Sequence, residues 1–149
     1  IFNFLVEEGV KLLKNSIAIK TDKLTNCLDK IRAIVLIELK VLVKYENFMT
    51  IILSEIWGTT ERSKMCQKYV FDYIQMIEEI VEEGMEKQEI IKGDPNVIAS
   101  GIFGFVCSSL IYRNRTDHHL DVQKLYHEIE RSFIRKLKKE KGEEEKWDH

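Results

Sequence analysis

One stretch of 18 residues, from Pro95 to Tyr112, contains no charged side chain and lies between Asp94 and Arg113. Its length is at the short edge of what spans a bilayer, for which about 20 apolar residues are needed. Serine and glycine interrupt it, and its flanks carry no strong basic cluster. We therefore expect a helix of a soluble protein with almost no polar face, which other protein surface must cover on nearly every side.

This helix has two different faces. At about 100° per residue, one face is mostly small and the other is bulky. The small face carries Val97, Gly101, Gly104, Ser108 and Ile111, and the bulky face carries Ala99, Ile102, Phe103, Val106 and Leu110. Glycine inside a helix costs roughly 1 kcal/mol relative to alanine, so two glycines one turn apart indicate a packing reason. We expect the chain's own core to cover the bulky face and a second copy to cover the small one. The alternative is an ordinary buried helix of a monomer.

Composition indicates one soluble globular domain made of long regular elements. The 149 residues include a single proline and seven glycines, so few breaks interrupt the elements. With a net charge of −2, the chain as a whole lacks the excess of positive charge that is typical of nucleic-acid-binding proteins. Cys27, Cys66 and Cys107 lack metal-ligand spacing and fit buried thiols of a reducing compartment. With no signal peptide apparent, we expect a cytoplasmic protein without a membrane span.

Apolar periodicity predicts six helices and no strand, repeat or linker. They run from Ile1 to Ile17, from Thr21 or Asp22 to about Lys44, from Glu46 to about Trp57, from Glu61 to about Lys87, through the uncharged stretch, and from about His119 to Lys139. Before the fifth helix, Gly93 can end a segment, Asp94 can cap, and Pro95 fits the first helical position. We expect an all-α antiparallel bundle over residues 1–140, with 141–149 as a charged, frayed tail.

No pattern carries catalytic or metal chemistry, so we predict no enzyme, no cofactor and no metal. Asp117, His118, His119 and Asp121 form a polar cluster, but adjacent histidines on a helix point in different directions and chelate poorly together. Asp117 fits the N-cap of the sixth helix more simply. No histidine has a glutamate three residues before it, which disfavours a di-iron bundle. Cys107 has no histidine nearby in sequence, and phosphate-binding loops are absent.

Aromatic and soft side chains on three predicted helices, with Trp57 and Phe71 among them, favour an apolar pocket. The residues predicted to bind a ligand are Phe48, Ile52, Glu55, Tyr69, Tyr73, Met76 and Phe103. Glu38 and Glu55 are acids within apolar runs, and a buried carboxylate needs a partner. That partner is either a ligand cation or a basic residue such as Arg32, Arg62 or a lysine. We expect a small, largely apolar effector.

The run IVEEGMEKQEIIKGDPNVIASGIFGFVCSSLIY resembles the C-terminal half of a TetR-family transcriptional regulator. In that family a long helix ends with an acidic-glycine pattern, here Glu82, Glu83 and Gly84. A turn of the Gly-Asp-Pro type follows, here residues 93–95, and then a helix that starts near an alanine, here Ala99. The opening IFNFLVEEG resembles the helix that follows the family's DNA-recognition helix, and the helix-turn-helix reader itself is not among these residues.

The resemblance implies an all-helical domain that binds an effector, forms a homodimer and reaches operator DNA only through an upstream helix-turn-helix. It also implies an effector pocket among the central helices and a four-helix dimer interface built from the last two long helices of each subunit. The predicted interface residues are Gly101, Gly104, Phe105, Ser108, Tyr112, Leu125, Tyr126, Ile129 and Phe133. The alternative is a helical protein-interaction module without a ligand, which would have a solid core.

Overall fold

The computed structural model describes residues 2–116 and 119–140, and within these ranges it is an all-α bundle, as predicted. Its helices are α1 (Phe2–Thr21), α2 (Cys27–Lys44), α3 (Glu46–Glu55), α4 (Glu61–Glu86), α5 (Pro95–Thr116) and α6 (Val122–Ile129). A π-helical turn, Glu130–Ile134, and a 3-10 turn, Arg135–Leu137, continue α6. The predicted tail at 141–149 and the predicted cap Asp117 lie outside the described residues.

Two helices begin later than predicted, because other side chains cap them. Asn26 accepts hydrogen bonds from two backbone N–H groups of the first turn of α2, whereas Thr21 belongs to α1. Asp121 accepts two such bonds at the start of α6, so that helix does not begin at His119. Each cap supplies an acceptor to N–H groups that have none within their own helix.

The start of α5 agrees with the sequence. The Asp94 carboxylate accepts hydrogen bonds from the backbone N–H groups of Asn96 (2.9 Å) and Val97 (3.4 Å), and Pro95 is the first helical residue. Proline fits there because its missing N–H would have had no helical partner. This turn sets the direction in which the uncharged helix leaves the connection from α4.

Gly84 has a packing role near the end of α4. A Cβ atom at this position would lie 2.8 Å from Cγ1 of Ile90 and 3.0 Å from Cβ of Cys27, which leaves no room for a side chain. The Gly84 carbonyl accepts hydrogen bonds from the N–H groups of Glu89 (2.8 Å) and Ile90 (3.1 Å). The glycine of the acidic-glycine pattern therefore lets the connection fold back and bury Ile90 against the helix.

The central helix of the bundle is α2, whose middle is a mostly apolar run. It packs against α1, α3, α4 and α5, and α5 in turn lies along α4. Nine of its residues are buried: Cys27, Leu28, Ile31, Ile34, Val35, Glu38, Leu39, Val41 and Leu42. Glu38 is the one acid in this set, and it lies near the middle of the core.

Candidate functional site

A small cavity lies where α1, α2, α3, α4 and α5 meet. Its lining residues are Val10, Leu13, Glu38, Leu42, Phe48, Ile52, Val70, Tyr73 and Phe103. The cavity has a volume of about 10 Å³, which is roughly the room needed by one water molecule. Pockets for small molecules usually measure roughly 300 to 1,000 Å³. A ligand can therefore enter only by pushing the surrounding side chains apart.

Glu38 and Tyr73 are the polar residues of this otherwise apolar lining. Both carboxylate oxygens of Glu38 and the hydroxyl oxygen of Tyr73 are buried, and none has a hydrogen-bond partner among the described residues. A buried polar group without a partner costs about 1–3 kcal/mol. Such groups are uncommon in folded proteins, and each calls for a reason other than stability.

The basic residues considered as partners for Glu38 are engaged elsewhere or lie outside the cavity. The Arg32 guanidinium lies 2.8 Å from Asp29 and donates to Glu130 at 3.3 Å. Arg62 lies 3.9 Å from Glu55, at the start of α4. Neither arginine lines the cavity, so the described residues offer Glu38 no compensating charge there.

Burial sets the protonation state of this polar pair. It raises the pKa of the Glu38 carboxyl to about 8, and the nearby phenol of Tyr73, although outside hydrogen-bond geometry, acts in the opposite direction. Burial first, and then the charge of Glu38, raises the pKa of Tyr73 well above its usual value. The same two causes raise the pKa of the Cys107 thiol. All three groups are therefore mainly protonated and neutral at pH 7.

Four residues predicted to bind a ligand line the cavity: Phe48, Ile52, Tyr73 and Phe103. The rings of Tyr73 and Phe103 meet edge to face, with their centroids 6.1 Å apart and an interplanar angle of 68°. This contact joins α4 to α5 across the cavity. The structure thus brings together predicted residues from three helices.

Three other predicted ligand residues do not line the cavity: Glu55, Tyr69 and Met76. The carboxylate of Glu55 accepts a hydrogen bond from the Ser63 hydroxyl at 2.6 Å, close to Arg62. This acid therefore has a local partner across the turn between α3 and α4. Tyr69 and Met76 are half-buried and pack against the core away from the cavity.

Two further aromatic residues favoured by the sequence also lie elsewhere. The side chain of Trp57 is 89 % exposed, and that of Phe71 is exposed on α4. Glu38 lines the cavity although it is not among the predicted ligand residues; in the sequence it stands out as an acid within an apolar run. That pattern is the sequence signal by which it can be found, and its position on the central helix distinguishes it from Glu55.

Helix α1 contacts the cavity both directly and through Phe48. Val10 and Leu13 form part of the cavity wall. A Cβ atom on Gly9 would lie 2.6 Å from two atoms of the Phe48 ring, so this ring rests on the backbone of α1. Movement of Phe48 toward α1 is blocked. A ligand that enlarges the cavity in this direction must therefore move α1.

Gly9→Ala is expected to destabilise the chain. Alanine is the better helix former by about 1 kcal/mol, but displacing the Phe48 ring is an overpacking change that typically costs about 1–3 kcal/mol. Urea unfolding measures the net effect. Gly93→Ala is the control for a methyl group added without overpacking in the turn before α5, because its Cβ would lie 3.4 Å from Ile98. A Gly9→Ala chain more stable than wild type would show that the ring does not rest on α1.

The small face of α5 lies on the surface of the chain. Within the described part of the chain, a Cβ atom on Gly101 or Gly104 would meet nothing within 4 Å. Val97 is 63 % exposed and Tyr112 is 70 % exposed on the same side. The bulky face is packed into the core through Ala99, Ile102, Val106 and Leu110. The predicted two-faced helix is confirmed, and nothing among the described residues requires the two glycines.

Solved structures share this architecture. A Clostridium perfringens protein described as a fatty acid metabolism regulator matches with a TM-score of 0.79 and 23 % identity, over 86 % of this chain and 70 % of its own. A transcriptional regulator of the TetR/AcrR family from Thermobifida fusca YX-ER1 matches with a TM-score of 0.64 and 17 % identity, over 90 % and 69 %. The fold is TetR-like. A Rhodococcus sp. RHA1 protein of unknown function matches with a TM-score of 0.78 and 13 % identity, over 92 % and 71 %.

The resemblance stated from the sequence is thus confirmed at the level of the TetR-like fold. No protein-family model matches the sequence, and no curated protein is significantly similar to it. At these sequence identities the three structures establish the fold of this chain, and its binding properties depend on its own residues.

In this TetR-like bundle, five predicted interface residues are exposed on α5: Gly101, Gly104, Phe105, Ser108 and Tyr112. Leu125 and Ile129 are only 7 % and 2 % exposed, so they belong to the chain's own core and are closed to a partner in this conformation. Tyr126 and Phe133 are half-buried. The Phe133 ring stacks on Phe105, with centroids 5.2 Å apart and an interplanar angle of 8°. The open surface therefore consists of the small face of α5 edged by this aromatic pair.

Two other features of the TetR-like bundle bear on its chemistry. No three His, Cys, Asp or Glu side chains are placed to hold a metal ion within residues 2–116 and 119–140, and His118 of the predicted polar cluster lies outside those ranges. By length and composition alone, α5 is apolar enough to cross a membrane, and 28 % of its most apolar window is buried. The exposed apolar face of α5 is of the kind that marks a protein–protein or membrane interaction surface.

Proposed function

We propose that this chain is the effector-binding and dimerisation domain of a cytoplasmic, TetR-like transcriptional regulator. It couples binding of a small, largely apolar molecule to DNA binding by an upstream helix-turn-helix. The observation that carries the proposal is the cavity where five helices meet, with α1 in its wall. The TetR-like fold supports it, since regulators are among the structures that share this architecture.

The coupling runs from the cavity to α1. An effector larger than the cavity of about 10 Å³ must displace side chains, and Phe48 already rests on Gly9. The start of α1 resembles the helix that follows the DNA-recognition helix in TetR-family regulators. Dimeric helix-turn-helix proteins read half-sites about 34 Å apart, so a shift of a few ångströms at α1 changes their fit to DNA. Effector and DNA then alter each other's affinity by the same factor, typically about 1–3 kcal/mol.

A second copy of the chain covers the exposed small face of α5 in this proposal. No described residue would meet a Cβ atom on Gly101 or Gly104 within 4 Å, and the two glycines allow another helix backbone to approach closely. Val97 and Tyr112 are exposed apolar residues on the same side. Burying such a surface against its twin gains hydrophobic free energy without exposing new apolar area. The dimer also fixes the spacing of the two DNA readers.

The lining fits an effector with an apolar body. Apart from Glu38 and Tyr73, every residue in the cavity wall is apolar. The Clostridium perfringens neighbour is described as a regulator of fatty acid metabolism, which makes an alkyl chain a reasonable first body to test. Hydrophobic binding of this kind scales with the apolar area removed from water.

The test is a thermal-shift screen of the full chain with apolar molecules of about six to twelve carbons, followed by calorimetry. A ligand at 100 times its Kd stabilises the folded state by about 2.7 kcal/mol. Phe103→Ala is expected to abolish the shift for most hits, because Phe103 lines the cavity. Phe71→Ala is the matched control, since Phe71 is exposed on α4. If every hit keeps its shift in Phe103→Ala, the cavity is not the effector site.

One observation favours the second candidate, a helical interaction module without a small ligand. The cavity holds only about 10 Å³, and an interaction module is expected to have a nearly solid core. The two candidate functions predict different results in the thermal-shift screen. A module shows no cavity-dependent hits, whereas an effector domain shows hits whose binding requires side-chain displacement at Phe48 or Phe103.

A further inference from the structure

The cavity has a polar end that a purely apolar effector would leave unused. The Glu38 carboxylate comes from α2 and the Tyr73 hydroxyl from α4, and neither has a hydrogen-bond partner among the described residues. The other elements contribute only apolar side chains to the wall: Val10 and Leu13 from α1, Phe48 and Ile52 from α3, and Phe103 from α5. A ligand that enters here therefore meets three unpaired oxygen atoms, and no cationic side chain is among the described lining residues.

We propose that the effector carries a protonated amine on its apolar body, and that the amine binds between the Glu38 carboxylate and the Tyr73 hydroxyl. This inference rests on the proposed function, because it names the chemical class of effector for the same cavity. An ammonium group has three donors and no acceptor, which matches the three unpaired oxygens of Glu38 and Tyr73. Hydrogen bonds between charged partners are roughly twice as strong as neutral ones.

The surrounding rings favour the same charge. Phe48, Tyr73 and Phe103 all line the cavity, and the faces of aromatic rings attract cations. A carboxylate head group would bring a second negative charge toward Glu38, which is unfavourable when both are ionised. An alcohol can donate one hydrogen bond but cannot compensate the charge of the carboxylate. Of these three head groups, the amine alone does both.

Amine binding has a pH dependence of defined sign. Burial holds the Glu38 carboxyl neutral up to a pKa of about 8, whereas an alkylammonium stays charged through this range, as lysine does. Pairing requires the ionised carboxylate, so the affinity falls about tenfold for each pH unit below 8. The titratable groups near Glu38 are Tyr73 on α4 and Cys107 on α5, and burial raises the pKa of both well above this range. Neither contributes to the profile.

The experiment is calorimetric titration of the full chain with three probes of one chain length: n-octylamine, n-octanol and n-octanoate. At pH 8 we expect octylamine to bind at least tenfold more tightly than the other two. At pH 6.5 its affinity should drop about tenfold or more, with release of about one proton. Titrations in two buffers of different ionisation enthalpy count that proton.

Glu38→Gln keeps the shape of the side chain and removes its charge. The variant is expected to lose at least tenfold in octylamine affinity at pH 8 and to lose the proton release. Glu79→Gln is the matched control, because Glu79 is an exposed acid on α4 and lies outside the cavity lining. Tyr73→Phe removes only the hydroxyl and serves as the second variant, with an expected loss of several-fold for octylamine.

The outcomes separate this inference from the proposed function. If octanol or octanoate binds as tightly as octylamine and Phe103→Ala abolishes that binding, the amine inference is overturned and the effector cavity stands. Octylamine binding that Glu38→Gln leaves intact overturns the inference as well. Failure of all three probes also overturns it, whereas the proposed function falls only when the wider apolar screen has no cavity-dependent hit.

Discussion

Gly104→Leu is expected to convert a dimer, at twice the chain mass of 17.6 kDa, into a monomer when measured by light scattering after size exclusion. In the proposed dimer, Gly104 lets a second copy approach α5 closely, and a leucine side chain would hold the two backbones apart. Overpacking at a close contact typically costs about 1–3 kcal/mol, and the substitution occurs once in each subunit of the pair. A dimer of micromolar Kd therefore dissociates at micromolar concentrations of the chain.

The same substitution has the opposite sign if the chain is a monomer. None of the described residues lies within 4 Å of a Cβ atom on Gly104, so a leucine side chain leaves the helix without a clash at its first atom. Leucine is also a better helix former than glycine, by somewhat less than 1 kcal/mol. A monomer would thus become slightly more stable. Urea unfolding at fixed concentration distinguishes a destabilised dimer from a stabilised monomer.

Ala18→Leu is the matched control for this experiment. It adds an exposed leucine to α1, outside the predicted interface residues. Its mass and stability should equal those of wild type. A Gly104→Leu chain that still elutes as a dimer would show that the partner copy binds elsewhere. A wild-type chain that sediments with lipid vesicles would show that a membrane, and not a twin, covers α5.

The helices follow from the sequence because their apolar periodicity is strong. The two-faced character of α5 follows as well, since face assignment on one helix needs only the angle per residue. The predicted starts of α2 and α6 are too early because several residues can serve as N-caps. The choice of Asn26 and Asp121 depends on where the chain must turn to pack, which local sequence does not determine.

The cavity lining was only partly predictable, for a related reason. Tyr69 and Tyr73 stand one turn apart on the same apolar stripe of α4, but only Tyr73 reaches the cavity. Glu38 and Glu55 look alike in sequence, but Glu55 finds Ser63 across a short turn, whereas Glu38 lies on a helix packed on several sides. Which neighbours surround a residue is a tertiary property, and it decides which acid is left without a partner.

The stability of the chain is expected to fall as the pH rises from about 5 to about 8, and Glu38→Gln should remove most of that fall. The pKa of Glu38 is raised from 4.5 to about 8 in the folded chain. Between these values the unfolded chain has released the proton and the folded chain still holds it, so raising the pH favours unfolding. At about 1.4 kcal/mol per pH unit, the loss between pH 5 and pH 8 reaches up to about 4 kcal/mol.

Urea unfolding of wild type and Glu38→Gln at pH 5, 6, 7 and 8, at one protein concentration, isolates this contribution because all other titratable groups are shared. Glu130 does not interfere: burial acts to raise its pKa, but Arg135 and Arg32 outweigh burial and lower it, so its contribution is lost only in more acidic solution. The free energy of unfolding of the exposed control variant, Glu79→Gln, should change with pH as that of wild type does. Parallel curves for Glu38→Gln and wild type would instead mean that Glu38 is ionised in the folded chain, with a compensating partner that the cavity geometry does not provide.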